Sequence, residues 1–138
     1  MAKPPESQPK QAPSRDDQRN QKLSEHFTRG EMQCPCCEVC KINPKLLRAL
    51  EDLRVLAGNR PITVNSAYRC EKHNAEVGGA QNSQHLYGNA ADIVIKGLPP
   101  VEVAKLAREI GRFKGGGIGL YRTFVHVDVG PGPRRWKG

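Results

Sequence analysis

Residues 83–95 read Ser-Gln-His-Leu-Tyr-Gly-Asn-Ala-Ala-Asp-Ile-Val-Ile, and the way this stretch divides decides the fold. From Ala90 to Ile95 it is apolar except for one carboxylate, which predicts a buried strand. Gly88 allows a turn just ahead of that strand, so a loop that delivers His85 leads into a strand whose first inward residue is Asp92. Further on, Phe124-Val125-His126-Val127-Asp128 alternates apolar and polar residues. Side chains two apart on a strand share a face, so His126 and Asp128 point the same way.

The helical signals lie around these strands. Leu46, Leu47, Leu50, Leu53 and Val55-Leu56 recur at helical spacing behind Asn43-Pro44, where a first-turn proline is tolerated. Gly58-Asn59 ends that helix, and the alternating, β-rich Pro61–Ser66 follows as a short strand. Between Glu71 and Asn82 the paired glycines favour a loop over a long helix. Pro99-Pro100 opens a second helix with Val101, Ala104, Leu106, Ala107 and Ile110 on its apolar face, and Gly115-Gly116-Gly117 breaks it. Ile118–Tyr121 and Thr123–Val129 read as a closing hairpin. The expected fold class is α+β, a small antiparallel sheet with flanking helices.

The chain of 138 residues is the size of one domain. Residues 1–22 hold four prolines, many charges and almost nothing that can be buried, so a disordered basic, proline-rich tail is expected there, with the folded domain at 23–138. The formal net charge of +8 suits a polyanionic partner, or simply a solubilising surface. Its basic residues are spread along the chain and no nucleic-acid motif accompanies them, so a nucleic-acid reader is not expected. No apolar run is long enough to span a bilayer, and the amino-terminal Lys3 is followed by no apolar core of a secretory signal. Synthesis in the cytoplasm is the expectation, with any export by a route the sequence does not encode.

His85, Asp92 and His126 together suit a three-ligand zinc site that leaves one position open for water, the mark of a catalytic rather than a closed centre. Spacing alone leaves a second reading open, in which His85 caps a loop and His126 is a satisfied strand histidine.

The pattern Ser83-x-His85-x-x-Gly88-x-Ala90-x-Asp92, followed by His126-x-Asp128, resembles the M15 zinc peptidases, the D-alanyl-D-alanine carboxypeptidase and murein endopeptidase family. The likeness extends upstream through Ser66–Asn74 and Gly78–Ala80, and downstream through Gly115–Tyr121 and Val129–Trp136. It is nearest to the compact subgroup of wall endopeptidases and phage lysins. The resemblance implies a hedgehog-like, D-Ala-D-Ala-peptidase-like fold, Zn2+ held by His85, Asp92 and His126, and peptidoglycan peptides as substrate. It implies too that Arg69 donates to a substrate carbonyl or carboxylate and stabilises a developing oxyanion, the rival role being a structural salt bridge. Ser83 either hydrogen-bonds substrate or caps its loop. Family members place an acid three residues before the last ligand, or a histidine two before it; here those positions hold Thr123 and Phe124. Asp128 is therefore the expected general base, with support of a ligand histidine as its rival role.

Four cysteines crowd into Cys34-Pro-Cys-Cys-Glu-Val-Cys40 and a fifth, Cys70, adjoins Arg69. A disulfide from Cys70 to the cluster is expected ahead of a second, structural zinc, and the odd count leaves one thiol over. The expected activity is that of a monomeric peptidoglycan endopeptidase acting at the cell wall or periplasm. The alternatives are a D-Ala-D-Ala carboxypeptidase or dipeptidase, and a non-catalytic zinc-containing wall-binding or phage structural module.

Overall fold

The computed structural model describes residues 14–138. In chain order the elements are α1 (Arg15–Arg19), α2 (Arg29–Met32), α3 (Pro44–Leu56), β1 (Ile62–Ser66), α4 (Glu71–Glu76), β2 (Ala90–Ile95), α5 (Pro100–Ala107), α6 (Gly111–Lys114), β3 (Gly117–Leu120), β4 (Val125–Asp128) and β5 (Arg134–Lys137). A single 3₁₀ turn, Gln84–Tyr87, precedes β2 and ends at Gly88 with a left-handed φ of 70°. Of the expected tail, residues 1–13 lie outside the described residues; Ser14 caps α1, and Lys22 forms a β-bridge with Thr28.

The strands form one sheet in the order β1-β2-β4-β3-β5. Neighbours are antiparallel except β3 and β5, which run parallel, so the sheet is mixed rather than wholly antiparallel. The reason lies in the link at 129–133. It leaves the end of β4 and re-enters beside the start of β3, pairing Arg134 with Gly117, and from that end only a parallel course is open. Pro131 and Pro133 in the link have no N–H to offer to a ladder.

Strand alternation divides the sheet into two functions. Ala91, Ile93, Ile95, Ile118, Val125 and Val127 face the core. Against them pack α5 and α6, and α3 packs on those two helices with Leu46, Ala49, Leu50 and Leu53 fully buried in the same core. Each of those leucines contributes about 2 kcal/mol by leaving water. Asn43 caps α3 through its side chain, which accepts the Lys45 N–H, and Pro44 occupies the first turn as expected. Asp92, His126, Asp128, Gly117 and Gly119 occupy the opposite face. The segment expected as a loop, 71–82, begins with the short helix α4 before Gly78 turns it at a φ of 69°.

A β-bulge between Val64 and Ser66 shifts β1 by one residue, so that Ser66 rather than Asn65 lies opposite Asp92. Ahead of α2, Phe27 is buried, and the segment carrying it is held to α3 through Glu51. The Glu51 carboxylate accepts from the His26 backbone N–H at 2.9 Å and lies 2.7 Å from His26 Nδ1.

Burial by itself would raise the Glu51 carboxyl, but the His26 backbone N–H and side chain hold it below its ordinary value. A carboxyl depressed on folding contributes stability above its unfolded pKa and loses it as pH falls through the folded pKa. Glu51→Gln should therefore cost about 1 kcal/mol near neutrality. Chemical-denaturation curves of the two proteins should converge as pH falls below the ordinary carboxylate range.

Candidate metal centre

The expected ligands come from three different elements and meet on the sheet face away from the core. His85 stands on the 3₁₀ turn, Asp92 on β2 and His126 opposite it on β4. Their ligand-type atoms all lie within 4.8 Å of one another, and all three residues are buried. His85 Nε2 is 3.2 Å and His126 Nδ1 is 3.1 Å from the same oxygen, Asp92 Oδ1.

The far nitrogen of each ring settles what the near one presents. His85 Nδ1 lies 2.6 Å from the Ala67 carbonyl oxygen, which can only accept, so Nδ1 carries the proton. His126 Nε2 lies 2.7 Å from Asp128 Oδ2, and a carboxylate that already accepts from two backbone N–H groups and an arginine takes that proton too. In their neutral forms, both rings turn a lone pair toward an ionised carboxylate. Three electron pairs converging in a buried space repel one another unless a positive charge lies among them, either a metal ion or the added proton of a charged imidazole. The donor set therefore fits a divalent metal, with two imidazoles and one carboxylate and with each imidazole oriented from behind.

The same convergence favours positive charge at this point, whether from a metal or from a proton on His126. Burial alone would raise the Asp92 carboxyl, but His126 and His85 hold it well below the usual carboxylate range. For His126, burial works against the charged ring, while Asp128 and Asp92 outweigh it and raise the pKa.

Around this point lies a cleft of about 520 Å³ that Arg69, Ser83, His85, Asp92, His126 and Asp128 all line. All six expected site residues are thus brought together. Arg69 directs Nε to Ser66 Oγ at 3.1 Å, one terminal nitrogen to Asn74 Oδ1 at 3.3 Å and the other to Asp92 Oδ2 at 3.3 Å. The bulge in β1 is what places Ser66 there. Ser83 caps the 3₁₀ turn, its hydroxyl accepting the His85 N–H at 3.3 Å.

Asp128 has no solvent exposure. One of its oxygens accepts the Gly117 and Gly130 N–H groups, each at 3.0 Å, and Arg134; the other takes His126 Nε2. Burial pushes its carboxyl up, but His126 and Arg134 more than offset this and hold it at about 2. Thr123 is exposed, on the turn between β3 and β4.

Arg134, Trp136, Gly117 and Gly119 received no individual role from the sequence. The two glycines make close approaches possible. A Cβ at Gly117 would overlap the Asp128 carboxylate, and one at Gly119 would overlap the Trp136 ring. Trp136 lies 5.0 Å from the His126 ring, centroid to centroid, and donates Nε1–H to the Tyr121 hydroxyl at 2.9 Å. The signal that could have found them is the period-two pattern Gly117-Ile118-Gly119-Leu120, which marks a strand with one face stripped of side chains.

A profile of the family described as Peptidase M15 matches residues 24–128. The probable peptidoglycan L,D-endopeptidase MepK of Haemophilus influenzae is 36% identical over 110 residues, covering 73% of this chain and 57% of that protein. A zinc D-Ala-D-Ala carboxypeptidase of Streptomyces albus G is 38% identical over 90 residues, covering 64% of this chain and 35% of that protein. The chain thus spans little more than half the length of the first relative and about a third of the second.

If Asp128 fixes the His126 ring, Asp128→Asn should weaken zinc binding about 10- to 100-fold, the range seen for groups behind a ligand histidine. Competition against a chromophoric chelator measures it, with Thr123→Ala as the unaffected control.

Proposed function

Since the chain belongs to the peptidase M15 family, we propose that it is a zinc-dependent peptidase that hydrolyses peptide bonds of bacterial peptidoglycan. The observation that carries this reading is the convergence of His85 Nε2 and His126 Nδ1 on Asp92 Oδ1 at the floor of a cleft that Arg69 also lines. The names of both relatives, a peptidoglycan endopeptidase and a D-Ala-D-Ala carboxypeptidase, support the wall peptide as the substrate class. Bound by these three residues, zinc would supply Lewis-acid polarisation of a carbonyl and a readily deprotonated water near neutral pH.

The remaining residues have separable tasks. Arg69 and Arg134 are the two cationic side chains on the cleft wall, and Arg134 is turned to Asp128. Three of the five N–H groups of Arg69 are committed to Ser66, Asn74 and Asp92, which fixes the guanidinium plane, and the others are available to a substrate oxygen. A donor fixed in this way is already oriented when charge develops on that oxygen, so no reorganisation is required of it. Ser83 holds the turn that presents His85, and its place on the cleft wall suits a substrate contact as well. Trp136 covers the His126 ring and keeps water from that side.

For Asp128, full burial and four donors on two oxygens favour orienting His126 over accepting a proton in the reaction. Asp92 and Asp128 are the only carboxylates lining this cleft among the described residues. Asp92 is itself committed to the metal group and to Arg69, so a carboxylate base would have to come from the substrate. The same observation favours, as the second reading, a zinc-containing module that binds wall peptides without cutting them.

Purified peptidoglycan incubated with zinc-loaded protein should release new amino groups, chelation or His85→Ala should abolish the release, and mass spectrometry of the fragments should name the bond. Intact walls after treatment with fully zinc-loaded protein would overturn the hydrolase reading. Arg69→Ala should lower kcat/KM about 100- to 1000-fold with zinc content retained. Loss of zinc together with activity would reduce Arg69 to a brace for Asp92.

A further inference from the structure

On the far side of Arg69 lies a second group of metal-binding atoms. The disulfide expected from Cys70 is not formed: all five cysteines are free thiols. Instead, the sulfurs of Cys34, Cys36, Cys37 and Cys70 all lie within 4.8 Å of one another. Cys34 Sγ is 3.6 Å from both Cys36 Sγ and Cys70 Sγ, and Cys36 Sγ is 3.3 Å from Cys70 Sγ. We propose that Cys34, Cys36, Cys37 and Cys70 bind a second, structural zinc ion that ties the 34–40 loop to the turn carrying Arg69.

Four lines of observation support it. Sulfur packing comes first: four thiolates around one zinc, each about 2.3 Å from it, stand about 3.8 Å apart, close to the spacing seen here. A disulfide accounts for two sulfurs and leaves no reason for the other two to converge on the same point.

Backbone donors come second. The Cys70 N–H points at Cys34 Sγ at 3.5 Å, and the His73 N–H at Cys70 Sγ at 3.4 Å. Amide donors aimed at sulfur stabilise the thiolate form that a metal requires.

The backbone of the loop is the third. The Cys34 N–H donates to the Val39 carbonyl and the Glu38 N–H to the Cys34 carbonyl, both at 2.8 Å, closing a tight turn that brings Cys36 and Cys37 back over Cys34. Glu38 takes a φ of 60° to complete it, a conformation a non-glycine residue adopts only when its surroundings hold it there.

The odd cysteine is the fourth. Cys40 belongs to a different environment, packed against the hydrophobic core, and accounts for the thiol left over. Four thiolates leave no open coordination position, so this ion would be structural and the sulfur-rich site would select zinc over harder divalent cations.

The position gives it a purpose. Tyr68 N–H donates to the Met32 carbonyl and Arg69 N–H to the His85 carbonyl, so the turn at 68–70 lies between the start of the cysteine loop and the 3₁₀ turn. Fixing Cys70 fixes the main chain one residue from the guanidinium that braces Asp92. The site does not depend on the peptidase reading: it makes a metal-content prediction whether or not the protein cuts walls.

The test is metal content and a cobalt spectrum on the full chain, purified with its thiols reduced. Zinc-loaded protein freed of excess metal should hold about two ions per chain, and the double variant His85→Ala, His126→Ala about one. With cobalt(II) in place of zinc, that double variant should keep an intense thiolate-to-cobalt charge-transfer band, and Cys36→Ser with Cys37→Ser should lose it. The cobalt spectrum of the double-histidine variant, whose cysteines are intact, decides by itself, whatever the folding of the cysteine variant. Absence of the charge-transfer band there overturns the site. So does a Cys70 disulfide found by peptide mapping of protein purified without reductant or added metal.

Discussion

Asp128 is a carboxylate without access to water, and three strands are arranged to make that tolerable. An unpaired charge in this position would cost several kcal/mol, so every lone pair needs a donor. The donors come from separate places: a backbone N–H at the start of β3, another in the link after β4, a guanidinium on β5 and a ring nitrogen on β4 itself. Meeting that requirement calls for glycine at 117, a link that doubles back within a few residues, and a fifth strand on the far side of β3. The parallel edge of the sheet, which carries Arg134, and the orientation of His126 thus both meet at one group.

The same logic, with weaker forces, holds the other half of the centre. Arg69 neutralises Asp92 from the side away from the histidines, and a bulge in β1 supplies the hydroxyl that holds Arg69 in place. Behind the sheet the helices supply burial and little else. Stability is concentrated on the apolar face, and the polar face is left to satisfy its own charges. A chain of this size has few residues to spare for both tasks, and strand alternation lets one set of strands serve the two.

What was legible in the sequence was local. The strand at Ala90–Ile95, the shared face of His126 and Asp128, and the proline-started helix at Pro44 follow from periods of two and 3.6, and from a cap. The meeting of His85, Asp92 and His126 was legible through the resemblance carried by Ser83, His85, Gly88 and Asp92 together with His126-x-Asp128, where spacing alone left it open. What was not legible depends on partners distant in sequence. Arg134–Lys137 is too short and too charged to announce itself as a strand, and its parallel course follows from where β3 happens to begin. The bulge at Val64/Ser66 leaves no mark in composition. The helix opened by Pro100 ends at Ala107, ahead of the glycines expected to break it; Gly115 instead closes the separate helix α6, and Gly117 clears space for a carboxylate eleven residues further on. For Asp128, strand geometry shows which way the carboxylate points and says nothing of the four donors that surround it.

His85 and His126 offer opposite nitrogens to the same point, and this makes them mechanically unequal. Counted along bonds, Nδ1 is closer to the main chain than Nε2 by one atom. His126 therefore reaches the centre on a short arm anchored in the middle of a four-residue strand paired on both sides. His85 reaches it on a longer arm anchored in a single turn between two loops. A small rotation of that turn sweeps the His85 nitrogen through a wider arc than an equal rotation of β4 would sweep its counterpart. The centre thus has one ligand on a strand held by two ladders and another on a turn held by single hydrogen bonds to Ala67 and Arg69. A change in its geometry is therefore transmitted more directly from residues 83–88 than from β4.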